Sequence, residues 1–155
     1  MNSVLCLDID GTITTAKHDI LSTLVDMSNK NHTEIFINTA RPQVYCDQHW
    51  KFTQDFATKE RHKCFNGVLD ESNIEKSVSV SKVKNMDEIF EEMKRENPDL
   101  QKSCVILIDD VLSNVNAVEN AGFGGIHVHE KCGIDLNTIA EIKSKFKNCS
   151  NMHKC

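Results

Sequence analysis

Short, uninterrupted apolar runs alternate with amphipathic stretches along the chain. Val4-Leu5-Cys6-Leu7, Ile35-Phe36-Ile37 and Cys104-Val105-Ile106-Leu107-Ile108 have the pattern of strands buried on both faces. They predict strands over 3–8, 34–38 and 104–108, with a short one at 125–129 and a weak one at 77–80. Between them, Ile20, Leu21, Leu24 and Val25 predict a helix over 19–30. Tyr45, His49, Phe52 and Phe56 recur at spacings of four, three and four, which predicts an amphipathic helix from Pro42 to about Lys59 with that stripe packed in the core. Met86, Ile89, Phe90 and Met93 mark a helix that ends before Pro98. A further helix is expected at about 113–121, stopped by Gly122, and a last one carries Leu136, Ile139, Ala140 and Phe146. The tail over 148–155 is polar and expected to fray.

Apolar strands alternating with helices predict an α/β fold with a mostly parallel sheet covered on both faces. In such sheets ligands sit beyond the carboxyl ends of the strands. Asp8 and Asp10 follow the first strand, Thr39, Ala40, Arg41 and Pro42 the second, and Asp109 and Asp110 the strand at 104–108. Lys82 and Lys84 lie beyond the weak strand near 80. Ionisable residues thus gather on one rim, and this convergence says more than any single motif.

The 155 residues suit one domain over 1–147, with 60–77 as a loop or small flap. Net charge is −5, which argues against a dedicated nucleic-acid binder and leaves a nucleic-acid end only as a substrate. No apolar run approaches the roughly 20 residues of a membrane span. The first strand starts so early that no targeting leader is expected. Seven cysteines without C-x-x-C spacing, with Cys6 and Cys104 inside strand-like runs, read as small buried hydrophobes and predict a reducing, cytoplasmic setting.

Alternation sends Asp8 and Asp10 to the same side of the strand end. Like charges this close need a cation, a shared proton or a catalytic task. A calcium loop is excluded, because Ile13 stands where that loop needs Gly, and its twelfth position holds only Asp19. Gly122-Phe123-Gly124-Gly125 follows a helix and precedes a strand, the reverse of a nucleotide cradle. His127 and His129 near Cys132 are explained by strand alternation. Cys149, His153 and Cys155 form a weak metal candidate, and Trp50 is read as a cover residue off the aromatic stripe. Arg41 is read as a surface residue outside the core site.

Asp8-Ile9-Asp10-Gly11-Thr12 after a strand, Asn38-Thr39-Ala40-Arg41-Pro42, a lysine at a helix start and Ile108-Asp109-Asp110 with Asn114 occur in the order of a known set of motifs. In them the chain resembles the haloacid dehalogenase superfamily, in its phosphatase branch. The resemblance covers about residues 3 to 128, without a specific match over 43–77 or in the tail. It implies a three-layer, Rossmann-like sandwich and a hydrolase acting on a phosphorylated substrate with Mg²⁺. Asp8 would attack phosphorus and become an aspartyl phosphate, and Asp10 would serve as acid and then base. Thr39 would bind a phosphoryl oxygen and Lys82 would neutralise its charge, Lys82 being favoured over Lys84. Asp110, Asp8 and the carbonyl of Asp10 would hold the metal. Register sets Asp109 at the family's usual Gly, as cap or support of Asp110, and Asn114 at its second acid. Gly11, Thr39, Ala40 and Lys82 make up the expected phosphate-binding set, the Gly11 and Thr12 amides supplying donors.

Only about twenty residues separate Thr12 from the second strand, too few for the inserted cap that members often carry. An open site suits a large substrate, such as a phosphoprotein or a nucleic-acid end. A small molecule or nucleotide enclosed by an oligomeric partner is the alternative. A phosphotransferase and a catalytically silent binding protein of the same fold are the rivals.

Overall fold

The computed structural model describes residues 2–48 and 56–150. Its centre is a five-stranded, all-parallel sheet: β1 (Val4–Leu7), β2 (Glu34–Asn38), β3 (His62–Lys63), β4 (Val105–Asp109) and β5 (Gly124–His127), in the order β3-β2-β1-β4-β5. The α-helices are α1 (His18–Lys30), α2 (Gln43–Gln48), α3 (Ile74–Glu96), α4 (Leu112–Asn120) and α5 (Leu136–Ser150).

Strand alternation divides the core in two. Leu5, Leu7, Ile35, Ile37, Ile106 and Ile108 face α1 and α5, meeting Leu21, Leu24, Ile139, Ile142 and Phe146. Val4, Cys6, Phe36, Val105 and Leu107 face the other way, onto Met86, Ile89 and Met93 of α3 and Val118 of α4. The sheet is therefore α/β and Rossmann-like, sandwiched by helices, and the described residues include no large cap. Pairing of Leu7 with both Ile37 and Ile108 aligns the strand ends. Asp8 thus emerges level with Asn38 and Asp109, its amide bonded to Ile108 O at 3.0 Å.

Several expectations are corrected. The segment 77–80 is no strand, and Lys82 does not start a helix. Asn73 caps α3 by accepting from the Lys76 amide at 3.1 Å, and α3 runs 23 residues, so Lys82 is its ninth. Ser-Val-Ser-Val imitates a strand over four residues, but Ser81, Lys82, Asn85, Met86, Ile89 and Met93 form one continuous buried helical stripe. On α2, Tyr45 is 53% exposed and Cys46 is the buried residue, while Phe56 packs half-buried on the core. His49, Trp50 and Phe52 lie outside the described residues, as do His153 and Cys155.

The cysteine reading also changes. Cys46 is bonded to Cys64 and Cys104 to Cys149, while Cys6 and Cys132 are free among the described residues. Residues 148–150 accordingly belong to α5, anchored through Cys149 rather than frayed, and Cys149 is no metal ligand. The argument for a reducing compartment loses its support from unpaired thiols. Among the described residues no helix is long and apolar enough to cross a membrane.

Candidate active site

Three strand ends and one helix converge at the middle of the sheet. Asp8 is buried, and its Oδ1 accepts from Lys82 Nζ at 2.8 Å while its Oδ2 faces the Thr12 hydroxyl at 3.4 Å. Lys82 reaches in from α3, 1% exposed, and also donates to the Asn38 carbonyl at 2.6 Å and pairs with Asp109 Oδ2 at 2.9 Å. A buried lysine with three oxygen partners satisfies all its donors. Lys84, two residues on, is exposed; the structure brings Lys82, not Lys84, to Asp8.

The lysine is held from behind. Asn38 Nδ2 donates to the Lys82 carbonyl at 3.1 Å, and Asn85 Nδ2 donates to Asn38 Oδ1 at 3.0 Å and Cys64 O at 2.8 Å. This asparagine pair fixes α3 against β2 and the end of β3. From the sequence, Asn38 counted only as part of its motif and Asn85 had no role. The available signal was two polar residues at positions that periodicity makes buried: the end of β2 and the stripe of α3.

Asp109 exceeds its expected role. It does cap the turn, Oδ1 accepting from the Val111 amide at 2.9 Å. Its Oδ2, however, meets Lys82 and the Asn114 side chain at 3.2 Å, so it belongs to the buried charge cluster. Asn114 is 2% exposed and is tied by Ser79 Oγ at 2.9 Å, which makes it a brace for Asp109. Asp110 lies beside Gly11: a Cβ built there would come within 2.4 Å of Asp110 Oδ2, and Gly11 has φ +76°. Both crowding and backbone make glycine obligatory at that turn. His127, read as strand alternation, hydrogen-bonds through Nε2 to the Asp110 carbonyl at 3.0 Å.

Asp10 points outward. Arg41 grips it with Nε at 2.7 Å and a terminal nitrogen at 2.5 Å, one on each carboxylate oxygen. Arg41, set aside from sequence, thus stands at the mouth of the site. Thr39 is buried; its amide donates to Lys63 O at 3.0 Å, and its Oγ1 accepts from the Arg41 amide at 3.2 Å. Gly11 N–H is engaged by Thr14 Oγ1 at 3.0 Å and Thr12 N–H by Ile9 O at 3.3 Å, so these amides close the turn instead of standing as waiting donors. Ala40 follows Thr39 at the half-exposed start of the same loop.

The carboxylates outnumber the buried cation. Ligand atoms of Asp8, Asp109 and Asp110 lie within 4.8 Å of one another. Burial pushes the Asp8 carboxyl up to about 7, against the attraction of Lys82 and with the repulsion of Asp109. Asp110 is raised too, first by burial. For Lys82 burial works against the charge, but Asp8 and Asp109 outweigh it and lift its value. Three hard-oxygen acids against one ammonium leave an excess of negative charge that a divalent cation would offset. The donor set fits such an ion.

No family model matches the sequence, and no curated protein does either. Solved structures do resemble the fold. An uncharacterized protein from Corynebacterium glutamicum ATCC 13032 Kitasato superposes with a TM-score of 0.65 at 15% identity, covering 95% of this chain and 96% of that one. The core domain of a putative phosphoglycolate phosphatase from Streptococcus pneumoniae TIGR4 gives a TM-score of 0.56 at 13% identity, over 93% and 96%. At these identities the likeness establishes a shared fold.

Proposed function

We propose that this chain is a Mg²⁺-dependent phosphomonoester hydrolase of the haloacid dehalogenase type, with Asp8 as nucleophile. One observation carries the reading. A buried carboxylate at a strand end is held 2.8 Å from a buried ammonium, with Asp10 two residues on and two further acids alongside. The phosphatase description of the Streptococcus neighbour accords with it.

The chemistry balances with these residues. An Asp8 oxygen attacks phosphorus in line, the bond from phosphorus to the ester oxygen breaks, and that oxygen takes a proton from Asp10. Water then attacks the acyl phosphate and gives its proton to Asp10, and the bond to the Asp8 oxygen breaks to release inorganic phosphate and regenerate the carboxylate. Lys82 neutralises the equatorial oxygens, and the Thr39 hydroxyl and Ala40 amide supply donors. Asp8, Asp110 and the Asp10 carbonyl would hold the metal, whose contribution is charge neutralisation at the phosphoryl group. Asp10 must leave Arg41 to carry its proton. An incoming phosphate dianion offers the guanidinium an equivalent two-oxygen partner, so substrate entry itself frees the acid.

Turnover of p-nitrophenyl phosphate by wild type and Asp8→Asn, with Mg²⁺ and with EDTA, tests this. Wild-type activity should vanish in EDTA and return with Mg²⁺, and Asp8→Asn should lose roughly 10³-fold or more. Equal rates for the two proteins would remove Asp8 as nucleophile.

A further inference from the structure

All nine exposed large apolar side chains among the described residues sit at one end of the molecule. Val44 and Tyr45 follow β2, Val68 and Leu69 follow β3, Ile74 and Val80 lie in the first two turns of α3, Val111 and Leu112 follow β4, and Leu136 follows β5. In an all-parallel sheet these segments all leave the strands at their carboxyl ends, the end that bears Asp8, Asp10 and Asp110. Single exposed apolar residues scattered over a surface need no explanation. Here Val68 and Val80 line one cavity, and Val111 and Leu112 directly follow Asp110, so these residues offer an apolar contact surface beside the site.

The helix α3 gives that surface its relief. Lys82 is its ninth residue, so a segment of helix about 12 Å long, at 1.5 Å per residue, precedes it. The loop after β3 is bound to this part of the helix: the Asn66 amide donates to Ser81 Oγ and the Asp70 amide to Ser77 Oγ, both at 2.8 Å. Between loop and helix lies a cavity of about 330 Å³ lined by Asn66, Val68, Lys76, Ser77, Val80 and Lys84. On the opposite flank the bond from Ser79 to Asn114 draws the start of α4, with Val111 and Leu112, alongside.

Charge and extent select the occupant. The wall carries Asp70, Glu71 and Glu75 beside Lys76 and Lys84, all exposed, and the chain as a whole is at −5. A polyanion or an anionic bilayer gains nothing from such a surface. A small metabolite held at Asp8 cannot also touch side chains spread over separate segments. A polypeptide can, since it offers apolar side chains and both signs of charge while its phosphate meets Lys82 and Arg41. We infer that the wall of residues 66–81, with Val111 and Leu112, docks the polypeptide part of a phosphoprotein substrate, whose phosphorylated side chain reaches Asp8. This rests on the phosphatase reading above and names its substrate class.

The experiment compares kcat/KM for p-nitrophenyl phosphate and for ten-residue phosphopeptides with apolar or acidic flanks. It uses wild type, Val68→Glu/Val80→Glu and Leu69→Glu/Ile74→Glu, with light scattering to report oligomeric state. Apolar-flanked peptides should exceed acidic ones about tenfold, through KM. Both double variants should lose that preference and keep wild-type turnover of p-nitrophenyl phosphate. Hydrolysis of p-nitrophenyl phosphate without a peptide preference overturns the docking surface and leaves the phosphatase standing. Wild type inert towards every substrate with Mg²⁺ overturns both. A wild-type dimer dissolved by Val68→Glu/Val80→Glu assigns the surface to a second copy of the chain and also overturns the proposal.

Discussion

Lys82 and Arg41 are both cations set against carboxylates of the Asp8–Asp10 turn, but they do opposite work. The Lys82, Asp8 and Asp109 side chains are 1%, 9% and 0% exposed, whereas those of Arg41 and Asp10 are 23% and 58% exposed. In the buried cluster no group can move without stranding a charge in low dielectric, so geometry is fixed before substrate arrives. At the exposed pair, water competes on equal terms and either partner can be exchanged. In the proposed mechanism the nucleophile would benefit from the first arrangement, and a proton carrier that must change partners from the second. Burial, more than residue type, separates the two pairs.

Removing the buried cation should have the largest effect. Lys82→Met leaves Asp8 and Asp109 facing each other unpaired and should cost about 3–5 kcal/mol, read from urea denaturation. Adding Asp109→Asn to that variant should recover part of the loss, because one orphaned charge disappears. If Lys82→Met were as stable as Lys84→Met, the buried cluster would not be a unit.

The pH dependence of stability should come next. With Asp8 raised to about 7 against an unfolded value near 4, the folded chain holds a proton that the unfolded chain has released. Its contribution therefore falls as pH rises from about 4 to about 7. Lys82, raised as well, acts at the alkaline end: its contribution is present below the ordinary lysine value and is lost as pH climbs through the raised one. Thermal melts in EDTA should show Tm falling more steeply between pH 4 and 7 for wild type than for Asp8→Asn. Parallel slopes would mean that burial does not govern this carboxyl.

The exposed pair should contribute least to stability. Arg41→Gln should shift unfolding by no more than about 1 kcal/mol, since surface ion pairs rarely exceed that. Its mark should instead be a raised KM for phosphate esters. A stability loss comparable to that of Lys82→Met would erase the contrast between the two pairs.

Much of the scaffold was legible because the apolar strands are short, continuous and level with one another. Their ends could be inspected in the sequence, and Asp8, Asp10, Thr39 and Asp110 were found there. The buried face of α3 was harder. Ser77 to Val80 alternates like a strand, and only the cap at Asn73 and the stripe from Ser81 to Met93 make it helix. Asp109 was undervalued because a residue next to the expected ligand reads as a cap until Lys82 is seen against it. The disulfides Cys46–Cys64 and Cys104–Cys149 join positions 18 and 45 residues apart, and spacing alone does not choose among pairings.

The sequence by itself determined the α/β class, the rim on which the acids stand and the glycine turn that follows β1. Those follow from period-two burial and local backbone sterics, which act within a few residues. Only the tertiary structure decided that Lys82 lies between Asp8 and Asp109, that Arg41 holds Asp10 outside, and that α3 begins eight residues before Lys82. Each depends on how far one element is displaced along another, and that displacement is set by packing between segments far apart in the chain.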